Sequence, residues 1–143
     1  MRIFVVNGPN LDMLGKREPT IYGADTLDSI NAELSQLCSD MGIEVSFFQS
    51  NSEGTLIDII HSAREEADGI VLNAGAYTHY SIAIRDAISA AEKPCVEVHL
   101  SNVHKREEFR HKSVISAVCE GVICGFGKDV YRLGILALYS KLK

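Results

Sequence analysis

The chain has 143 residues, of which 46% are hydrophobic and 23% are charged, and its formal net charge is −5. A chain of this length buries enough apolar surface to fold without disulfides or a structural metal, and residues 1–143 are predicted to form a single domain. The acidic balance argues against a general nucleic-acid-binding protein, and the lack of any ~20-residue apolar run argues against a membrane-spanning one. The N-terminal apolar run is polar again by Asn7, too soon for a signal peptide, so a cytoplasmic protein is expected.

Cysteines and short motifs narrow the chemistry further. The four cysteines, Cys38, Cys95, Cys119 and Cys124, form neither a C-x-x-C pair nor a zinc-ribbon spacing, and we expect them to be reduced, buried thiols. The sequence contains no H-E-x-x-H, Walker A or G-x-G-x-x-G motif, which leaves a metal, a nucleoside triphosphate and NAD without support. We therefore predict no cofactor and no metal site.

Short apolar runs alternate with helical hydrophobic patterns along the chain. We predict strands at residues 2–6, 43–48, 69–72, 95–98 and 121–124, and helices at 26–41, 55–67, 80–91 and 130–142. This alternation indicates βαβ units with right-handed crossovers, and hence a parallel sheet with helices on both faces. Five strands favour a flavodoxin-like three-layer α/β fold with strand order 2-1-3-4-5, in which ligands bind beyond the carboxyl ends of the strands.

The longest irregular stretch, residues 7–24, follows the first predicted strand. A loop this long in a compact domain is usually a lid or a binding segment. It contains Asn10, Arg17 and Tyr22. Tyrosine is a weak base, with a pKa near ~10, and it becomes effective only when its phenolate is stabilised, which the guanidinium of Arg17 can do. Solvated loop side chains are the alternative interpretation.

Polar residues also follow the third predicted strand. Asn73 and His79 can bind hydroxyl or carboxylate groups there, and Gly75 allows the backbone to approach a ligand closely. The helix predicted to begin near Tyr80 adds the positive end of its dipole. The alternative is an N-capping loop that happens to contain a histidine.

The fourth predicted strand carries Glu97 and runs into His99. Side chains two residues apart on a strand point to the same face. A carboxylate beside an imidazole fixes its tautomer and raises its basicity, which suits a general acid; a buried structural pair is the alternative. The backbone N–H groups of Leu100, Ser101 and Asn102 can form a small anion-binding nest.

A run of charged residues comes next, at 105–112. Most of these charges are predicted to form a solvated face, and only Arg110 is expected to reach the pocket. His61, His104 and His111 are assigned to the surface or the core, since the spacing between His104 and His111 matches no metal-binding pattern.

Taken together, these stretches resemble the type II dehydroquinases, small cofactor-free 3-dehydroquinate dehydratases. The resemblance covers essentially the whole chain. Family blocks are matched by NGPNL at 7–11, LGKREPTIYG at 14–23, QSNSEGTLID at 49–58, NAGAYTHYSIAIRDA at 73–87, EVHLSN at 97–102 and FRH at 109–111. One departure is Asp12, where the family commonly has asparagine.

The resemblance implies dehydration of 3-dehydroquinate to 3-dehydroshikimate by an anti elimination. Tyr22, held as a phenolate near Arg17, would remove a proton beside the ketone, and a water bound to Asn10 would hold the resulting enolate. His99, oriented by Glu97, would protonate the departing hydroxyl. The residues implied in substrate binding are Asn73, His79, Asp86, Leu100, Ser101, Asn102 and Arg110. The reaction serves aromatic biosynthesis or quinate catabolism, and the sequence leaves both open.

The resemblance also implies a homododecamer, a tetramer of trimers, in which the aspartate matching Asp86 reaches a neighbouring subunit's site. The residues by themselves say less. Arg85 and Asp86 are adjacent on a largely apolar predicted helix and point ~100° apart, so one charge can face an interface. A surface ion pair is the alternative.

A flavodoxin-like binding module, for FMN or for phosphoryl signalling, is the competing interpretation. FMN binding needs a Ser/Thr-Gly phosphate loop after the first strand, and the sequence Gly-Pro-Asn at 8–10 does not match it. A signalling receiver needs paired acids at that place, where only Asp12 is available. A nucleotide-free structural homologue, which an activity assay tests, is a third interpretation.

Overall fold

Five parallel strands form a single sheet. They are β1 (Arg2–Asn7), β2 (Glu44–Gln49), β3 (Gly69–Asn73), β4 (Cys95–His99) and β5 (Gly121–Cys124). The helices are α1 (Pro19–Tyr22), α2 (Leu27–Met41), α3 (Glu53–Glu66), α4 (Ile82–Ala91) and α5 (Asp129–Leu142). The strand order is β2-β1-β3-β4-β5, which confirms the predicted flavodoxin-like topology.

The computed structural model describes residues 1–16, 18–22 and 24–143, without the side chains of Pro19 and Tyr22. Within this part of the chain, no helix is long and apolar enough to cross a membrane. The stretch at 7–24 is less irregular than predicted, because it holds a 3-10 turn at Leu11–Met13 and the short helix α1. A proline starts such a helix readily, since its fixed φ suits the first helical position.

The sheet is covered on both faces, and β1 shows how. Ile3 and Val5 point into a core shared with α2 and α5, whereas Phe4 and Val6 point into a core shared with α3 and α4. All four side chains are buried. Burial on both faces makes a parallel strand a continuous apolar run rather than an alternating one, and it produces the three-layer architecture that the sequence predicts.

Capping side chains determine where two of the helices begin. Thr26 accepts a hydrogen bond from the backbone N–H of Ser29, and the Ser29 hydroxyl accepts one from the N–H of Thr26, both at 3.1 Å. This capping box starts α2 near the predicted residue, and Gly42 ends the helix with a left-handed φ of 70°. Helix α3 begins at Glu53, earlier than predicted, because the hydroxyl of Ser52 caps it.

Helix α4 begins later than predicted. A 3-10 turn at Gly75–His79 precedes it, and Ser81 caps the helix by accepting a 3.0 Å hydrogen bond from the N–H of Ile84. The Ser81 hydroxyl also donates to the carboxylate of Glu53 at 2.6 Å, which joins the starts of α3 and α4. The positive end of the α4 dipole therefore lies at Ile82, not at the start of the preceding turn.

The register of the sheet places polar side chains together at its carboxyl edge. Asn7, the last residue of β1, pairs with Gln49 of β2 and with Asn73 of β3. Just beyond this point the chain needs Gly8, because a Cβ atom there would lie 2.7 Å from the carbonyl oxygen of Ala74. The two loops that follow β1 and β3 are consequently packed tightly against each other.

The four cysteines differ in burial. Cys38 and Cys95 are buried free thiols, but Cys119 and Cys124 are half-buried. The prediction that all four are buried is therefore wrong for the last two. Both lie near the edge strand β5, where fewer neighbours cover the chain.

Candidate active site

A cleft that is partly open to solvent lies beyond the carboxyl ends of the strands. Ligands bind at this edge in doubly wound sheets. The polar and charged lining residues are Asn10, Asn73, His79, His99, Ser101, Arg106 and Arg110. Amide, imidazole and guanidinium groups that converge on one space suit a small, polar, anionic ligand.

Glu97 and His99 form a buried pair at the end of β4. Nε2 of His99 lies 2.6 Å from Oε2 of Glu97, and the two residues are 1% and 6% exposed. The predicted contact between the two side chains is therefore present. Because Glu97 occupies Nε2, the other ring nitrogen of His99, Nδ1, remains for a ligand in the cleft.

Two serines complete the surroundings of Glu97. The hydroxyl of Ser116 donates to Oε1 at 2.5 Å, and that of Ser113 donates to the same oxygen at 3.1 Å. Burial acts to raise the pKa of Glu97, but the hydrogen bonds from His99 and from the two serines outweigh burial and hold the pKa below its ordinary value. Glu97 is thus an ionised carboxylate inside the protein, and sequence reasoning missed both serines.

His79 lies beside His99. The two rings are nearly parallel, with an interplanar angle of 17° and 6.4 Å between their centroids. Nδ1 of His79 is 2.8 Å from the carbonyl oxygen of Lys112. A carbonyl oxygen only accepts hydrogen bonds, so Nδ1 carries a proton, and in the neutral ring Nε2 is then an acceptor.

The amide of Asn73 is held by a residue that the sequence analysis did not single out. Its Nδ2 donates to the phenol of Tyr131 at 3.1 Å, and its Oδ1 accepts from the N–H of Gly75 at 3.2 Å. The phenol donates in turn to Oδ1 of Asn7 at 2.5 Å. Burial raises the pKa of Tyr131 well above its ordinary value, so the phenol stays neutral. A tyrosine on the apolar face of a predicted helix was the available signal.

Asn10 lies at the mouth of the cleft in a left-handed conformation, with φ of 69°. Asparagine tolerates this conformation better than most residues. The backbone N–H of Asn10 donates to Oδ1 of Asn51 at 3.0 Å, and that oxygen also accepts from Nε2 of Gln49 at 3.2 Å. Asp12, which departs from the family pattern, is exposed and is not among the described residues that line this cleft.

Two arginines reach the cleft where one was expected. Arg110 lines it as predicted, and its Nε donates to Glu107 at 3.1 Å. Arg106 lines it as well: its side chain is only 13% exposed, and Nη1 donates to the hydroxyl of Ser101 at 3.3 Å. The assignment of Arg106 to a solvated face is therefore wrong, because the 3-10 turn at Val103–Lys105 directs the following residue inward.

The remaining predicted binding residues are divided between two places. Leu100 and Ser101 line the cleft. Asn102 lines an adjoining open pocket, and its Oδ1 accepts from the N–H of His104 at 3.1 Å. Asp86 is exposed on α4 and is not among the described residues that line the cleft of its own chain.

The two residues predicted to form the catalytic base, Arg17 and the side chain of Tyr22, lie outside the described residues. The backbone of Tyr22 ends α1. Thr20 and Ile21, its neighbours, line the adjoining pocket, which shares Leu100, Ser101 and Arg106 with the cleft. Helix α1 therefore lies at the rim of the cleft.

The other three histidines are not among the described residues that line the cleft. His61, His104 and His111 are exposed, which decides between the surface and the core that the sequence left open. Among the described residues, no group of three or more His, Cys, Asp or Glu side chains is arranged so that it could hold a metal ion.

Comparison with known proteins gives consistent matches over the whole chain. A family model described as "Dehydroquinase class II" matches residues 1–139. Proteins named 3-dehydroquinate dehydratase from Geotalea daltonii and Carboxydothermus hydrogenoformans are 61% and 57% identical over 143 residues, which cover 100% of this chain and 99% and 93% of theirs. The crystal structure of type II dehydroquinase from Butyrivibrio crossotus matches with a TM-score of 0.95 at 49% identity, over 97% of both chains.

Proposed function

Because the chain belongs to the class II dehydroquinase family, we propose that it is a hydro-lyase that dehydrates 3-dehydroquinate to 3-dehydroshikimate without a cofactor. The observation that carries this proposal is the buried Glu97–His99 pair, which opens onto a cleft lined by His79 and two guanidiniums. The pair supplies a proton, and the basic lining suits the carboxylate of the substrate.

His99 is proposed as the general acid. Its Nε2 lies 2.6 Å from the carboxylate of Glu97, which holds the ring in one orientation with Nδ1 free to face the substrate. The proton leaves from Nδ1 and joins the C1 hydroxyl, which departs as water while the electron pair of the enolate forms the new double bond. An imidazole whose tautomer and orientation are held by a carboxylate is suited to this transfer.

Tyr22 is proposed as the base that starts the reaction. As a phenolate stabilised by Arg17, it removes the proton beside the ketone and leaves an enolate. A water bound to Asn10 holds the enolate oxygen. The position of α1 at the rim of the cleft and of Asn10 in its lining supports these roles.

The remaining polar groups are proposed to bind the substrate. A carboxylate is recognised best by charged donors and by backbone N–H groups, and the cleft offers Arg110, Arg106 and the segment that follows β4. The residues assigned to the hydroxyls and the carboxylate are Asn73, His79, Leu100, Ser101, Asn102 and Arg110. Arg106 extends this set beyond the sequence prediction.

The direct test is an absorbance assay for the conjugated enone that dehydration creates. Purified protein is mixed with 3-dehydroquinate, and the variant His99→Gln serves as the matched control. We expect turnover by the wild type and a strongly reduced rate in the variant. Lack of turnover by folded wild-type protein would contradict the proposed function, and visible flavin absorbance in the purified protein would support an FMN-binding module instead.

We also propose that twelve copies assemble as a tetramer of trimers. Such an arrangement needs two kinds of contact surface, one around three-fold axes and one around two-fold axes. Large apolar side chains are exposed near the start of α4 and in the 3-10 turn at Glu108–Arg110, namely Tyr80, Ile82 and Phe109, which are 62%, 56% and 65% exposed. Val122 of the edge strand β5 and Leu136 of α5 are exposed as well, at 47% and 36%.

Asp86 lies beside one of these exposed side chains. It follows Ile82 by four residues on α4, so the two side chains lie on the same face of the helix. Both are exposed in the single chain. We propose that Asp86 enters the polar network of a neighbouring subunit's site, while the apolar side chains around it are buried between subunits.

The domain and its cellular setting complete the proposal. We propose that residues 1–143 act as one catalytic domain in the cytoplasm, in aromatic biosynthesis or in quinate catabolism. The single sheet with one core on each face supports one domain. Deletion of the gene for this protein tests its role. A requirement for aromatic amino acids in the deletion strain indicates biosynthesis, and growth without them indicates quinate catabolism.

A further inference from the structure

The segment at 112–116, which precedes β5, contacts both histidines of the cleft directly or through Glu97. The carbonyl oxygen of Lys112 accepts the hydrogen bond from Nδ1 of His79 at 2.8 Å. Ser113 and Ser116 bind the carboxylate that holds His99. None of these three residues is among the described residues that line the cleft, so the segment acts on the site from behind it.

The two oxygens of Glu97 have different partners. Oε2 faces Nε2 of His99 at 2.6 Å, whereas Oε1 accepts from Ser116 at 2.5 Å and from Ser113 at 3.1 Å. Two donors on Oε1 define the plane of the carboxylate, so it cannot rotate without breaking a hydrogen bond in a buried place. The orientation of the carboxylate sets the orientation of the imidazole in turn.

Ser113 has a second task that Ser116 does not share. Its hydroxyl oxygen accepts hydrogen bonds from the backbone N–H of Ile115 at 3.2 Å and of Ser116 at 3.1 Å. Ser113 therefore shapes the turn that brings Ser116 to the carboxylate. The hydroxyl of Ser116 contacts Glu97 without shaping the turn. Its removal therefore tests the contact with Glu97 more directly than removal of the Ser113 hydroxyl.

Neighbouring elements anchor the segment. The backbone N–H of Val114 donates to the carbonyl oxygen of Thr78 at 2.9 Å. Its own carbonyl oxygen accepts from Nη1 of Arg85 on α4 at 2.9 Å. The two serines are thereby held in register with the turn that carries His79.

We infer that Ser116, supported by Ser113, is a positioning residue for proton transfer by His99. The serine hydroxyls keep the Glu97 carboxylate ionised and in one orientation, and the carboxylate keeps the imidazole aimed at the leaving hydroxyl. This inference rests on the proposed function for its catalytic consequence. Its effect on the Glu97–His99 pair can be measured without any turnover.

The kinetic test compares Ser116→Ala with Ser116→Thr. Loss of a hydrogen bond to a charged group is expected to lower kcat roughly ten-fold, with KM almost unchanged because Ser116 does not line the cleft. The acidic limb of the pH–rate profile is expected to move to higher pH, since removal of a donor raises the pKa of Glu97. Ser116→Thr keeps a hydroxyl and is expected to restore most of the rate.

The matched control is Ser62→Ala on α3. The hydroxyl of Ser62 is also part-buried, but it donates to the carbonyl oxygen of Ile59 within its own helix, at 2.7 Å. We expect it to leave kcat and the pH profile unchanged. If circular dichroism shows that Ser116→Ala does not fold, Ser116→Cys is used in its place. Cysteine has a similar size but replaces the hydroxyl with a weak hydrogen-bond donor, so the same changes in kcat and pH profile are expected.

Nuclear magnetic resonance of protein with ¹⁵N-labelled histidine provides the second measurement. The ring signals of His99 are assigned from their loss in His99→Gln, and they are followed over pH without substrate. In Ser116→Ala, the step that reports ionisation of Glu97 is expected to move to higher pH, and in Ser62→Ala it is expected to stay. Inactive wild-type protein would contradict the proposed function and leave this measurement valid.

Two results would overturn the inference. One is a folded Ser116→Ala with the kcat, the pH profile and the His99 titration of the wild type. The other is a loss of kcat with the pH profile and the titration unchanged, which indicates a merely structural role. A shift in titration that Ser116→Thr reverses supports positioning.

Discussion

The side-chain amide of Asn73, at the end of β3, donates a 3.1 Å hydrogen bond to the buried phenol of Tyr131 on α5. The same phenol donates to Asn7, at the end of β1. One helix on the far side of the sheet therefore connects two strand ends at the cleft. A neutral phenol suits this place because it both donates and accepts a hydrogen bond.

Tyr131→Phe is expected to lower the free energy of unfolding by about 1–3 kcal/mol. The substitution keeps the ring in the core but leaves the buried amides of Asn7 and Asn73 without their shared partner. Urea denaturation measures the difference, with Tyr139→Phe on the same helix as the control, since Tyr139 is half-buried. Equal unfolding midpoints for Tyr131→Phe and the wild type would contradict the role of the phenol.

Glu97 makes the stability of the protein depend on pH. Burial opposes its ionisation, but hydrogen bonds led by that from His99 hold its pKa below the ordinary value in the folded state. The ionised group therefore stabilises the fold fully above the unfolded pKa of about 4.3, and this contribution is lost as the pH falls through the folded pKa. The difference in free energy of unfolding between the wild type and Glu97→Gln is therefore expected to decrease as the pH falls below the unfolded pKa and through the folded pKa of Glu97.

Urea denaturation at neutral pH and at about pH 3 provides the comparison for Glu97. Glu65→Gln is the control, because the side chain of Glu65 is 86% exposed. A difference for Glu97→Gln that stays constant between the two conditions would exclude the pKa shift as its source.

Tyr22→Phe is expected to lower kcat by roughly 10²–10⁴-fold, the usual contribution of a general base. Arg17→Ala is expected to reduce turnover as well, and Arg17→Lys to restore only part of it, because an ammonium does not reproduce the planar guanidinium. The enone assay measures each rate, with Tyr139→Phe as the control. Wild-type turnover by folded Tyr22→Phe would remove Tyr22 from the mechanism.

Arg106→Ala is expected to raise KM roughly ten-fold, since a charged hydrogen bond to the substrate carboxylate is lost, with a smaller effect on kcat. Arg132→Ala is the matched control, because Arg132 is exposed on α5 and pairs with Asp129 at 3.7 Å. Steady-state kinetics with 3-dehydroquinate measure both constants. An unchanged KM would contradict the proposed contact between Arg106 and the substrate carboxylate.

Light scattering is expected to report about twelve subunits for the purified protein. Asp86→Ala is expected to weaken activity or assembly, because the exposed carboxylate loses its proposed contact in the neighbouring site. Asp58→Ala, an exposed aspartate on α3, is the control. A fully active monomer at assay concentration would contradict this assembly and leave the roles of Tyr22 and His99 unaffected.

Patterns in the sequence determined the architecture. Strands buried on both faces are continuous apolar runs, and helices against a sheet show one apolar face, so the alternation of the two predicted the parallel sheet and its order. The same local rule placed Glu97 and His99 on one face of β4. These patterns depend on neighbouring residues, which is why they could be interpreted without the fold.

Only the tertiary structure decided which distant groups meet in the cleft. Tyr131 and Asn7 are 124 residues apart in the chain, and Ser116 is 19 residues from Glu97. Arg106 turns towards Ser101 because of the turn before it, although its charged neighbours indicate a solvated face. Such contacts depend on how the layers pack against one another. Hydrophobic periodicity in the sequence indicates which face of a helix or strand is buried, but it does not indicate which residues cover that face.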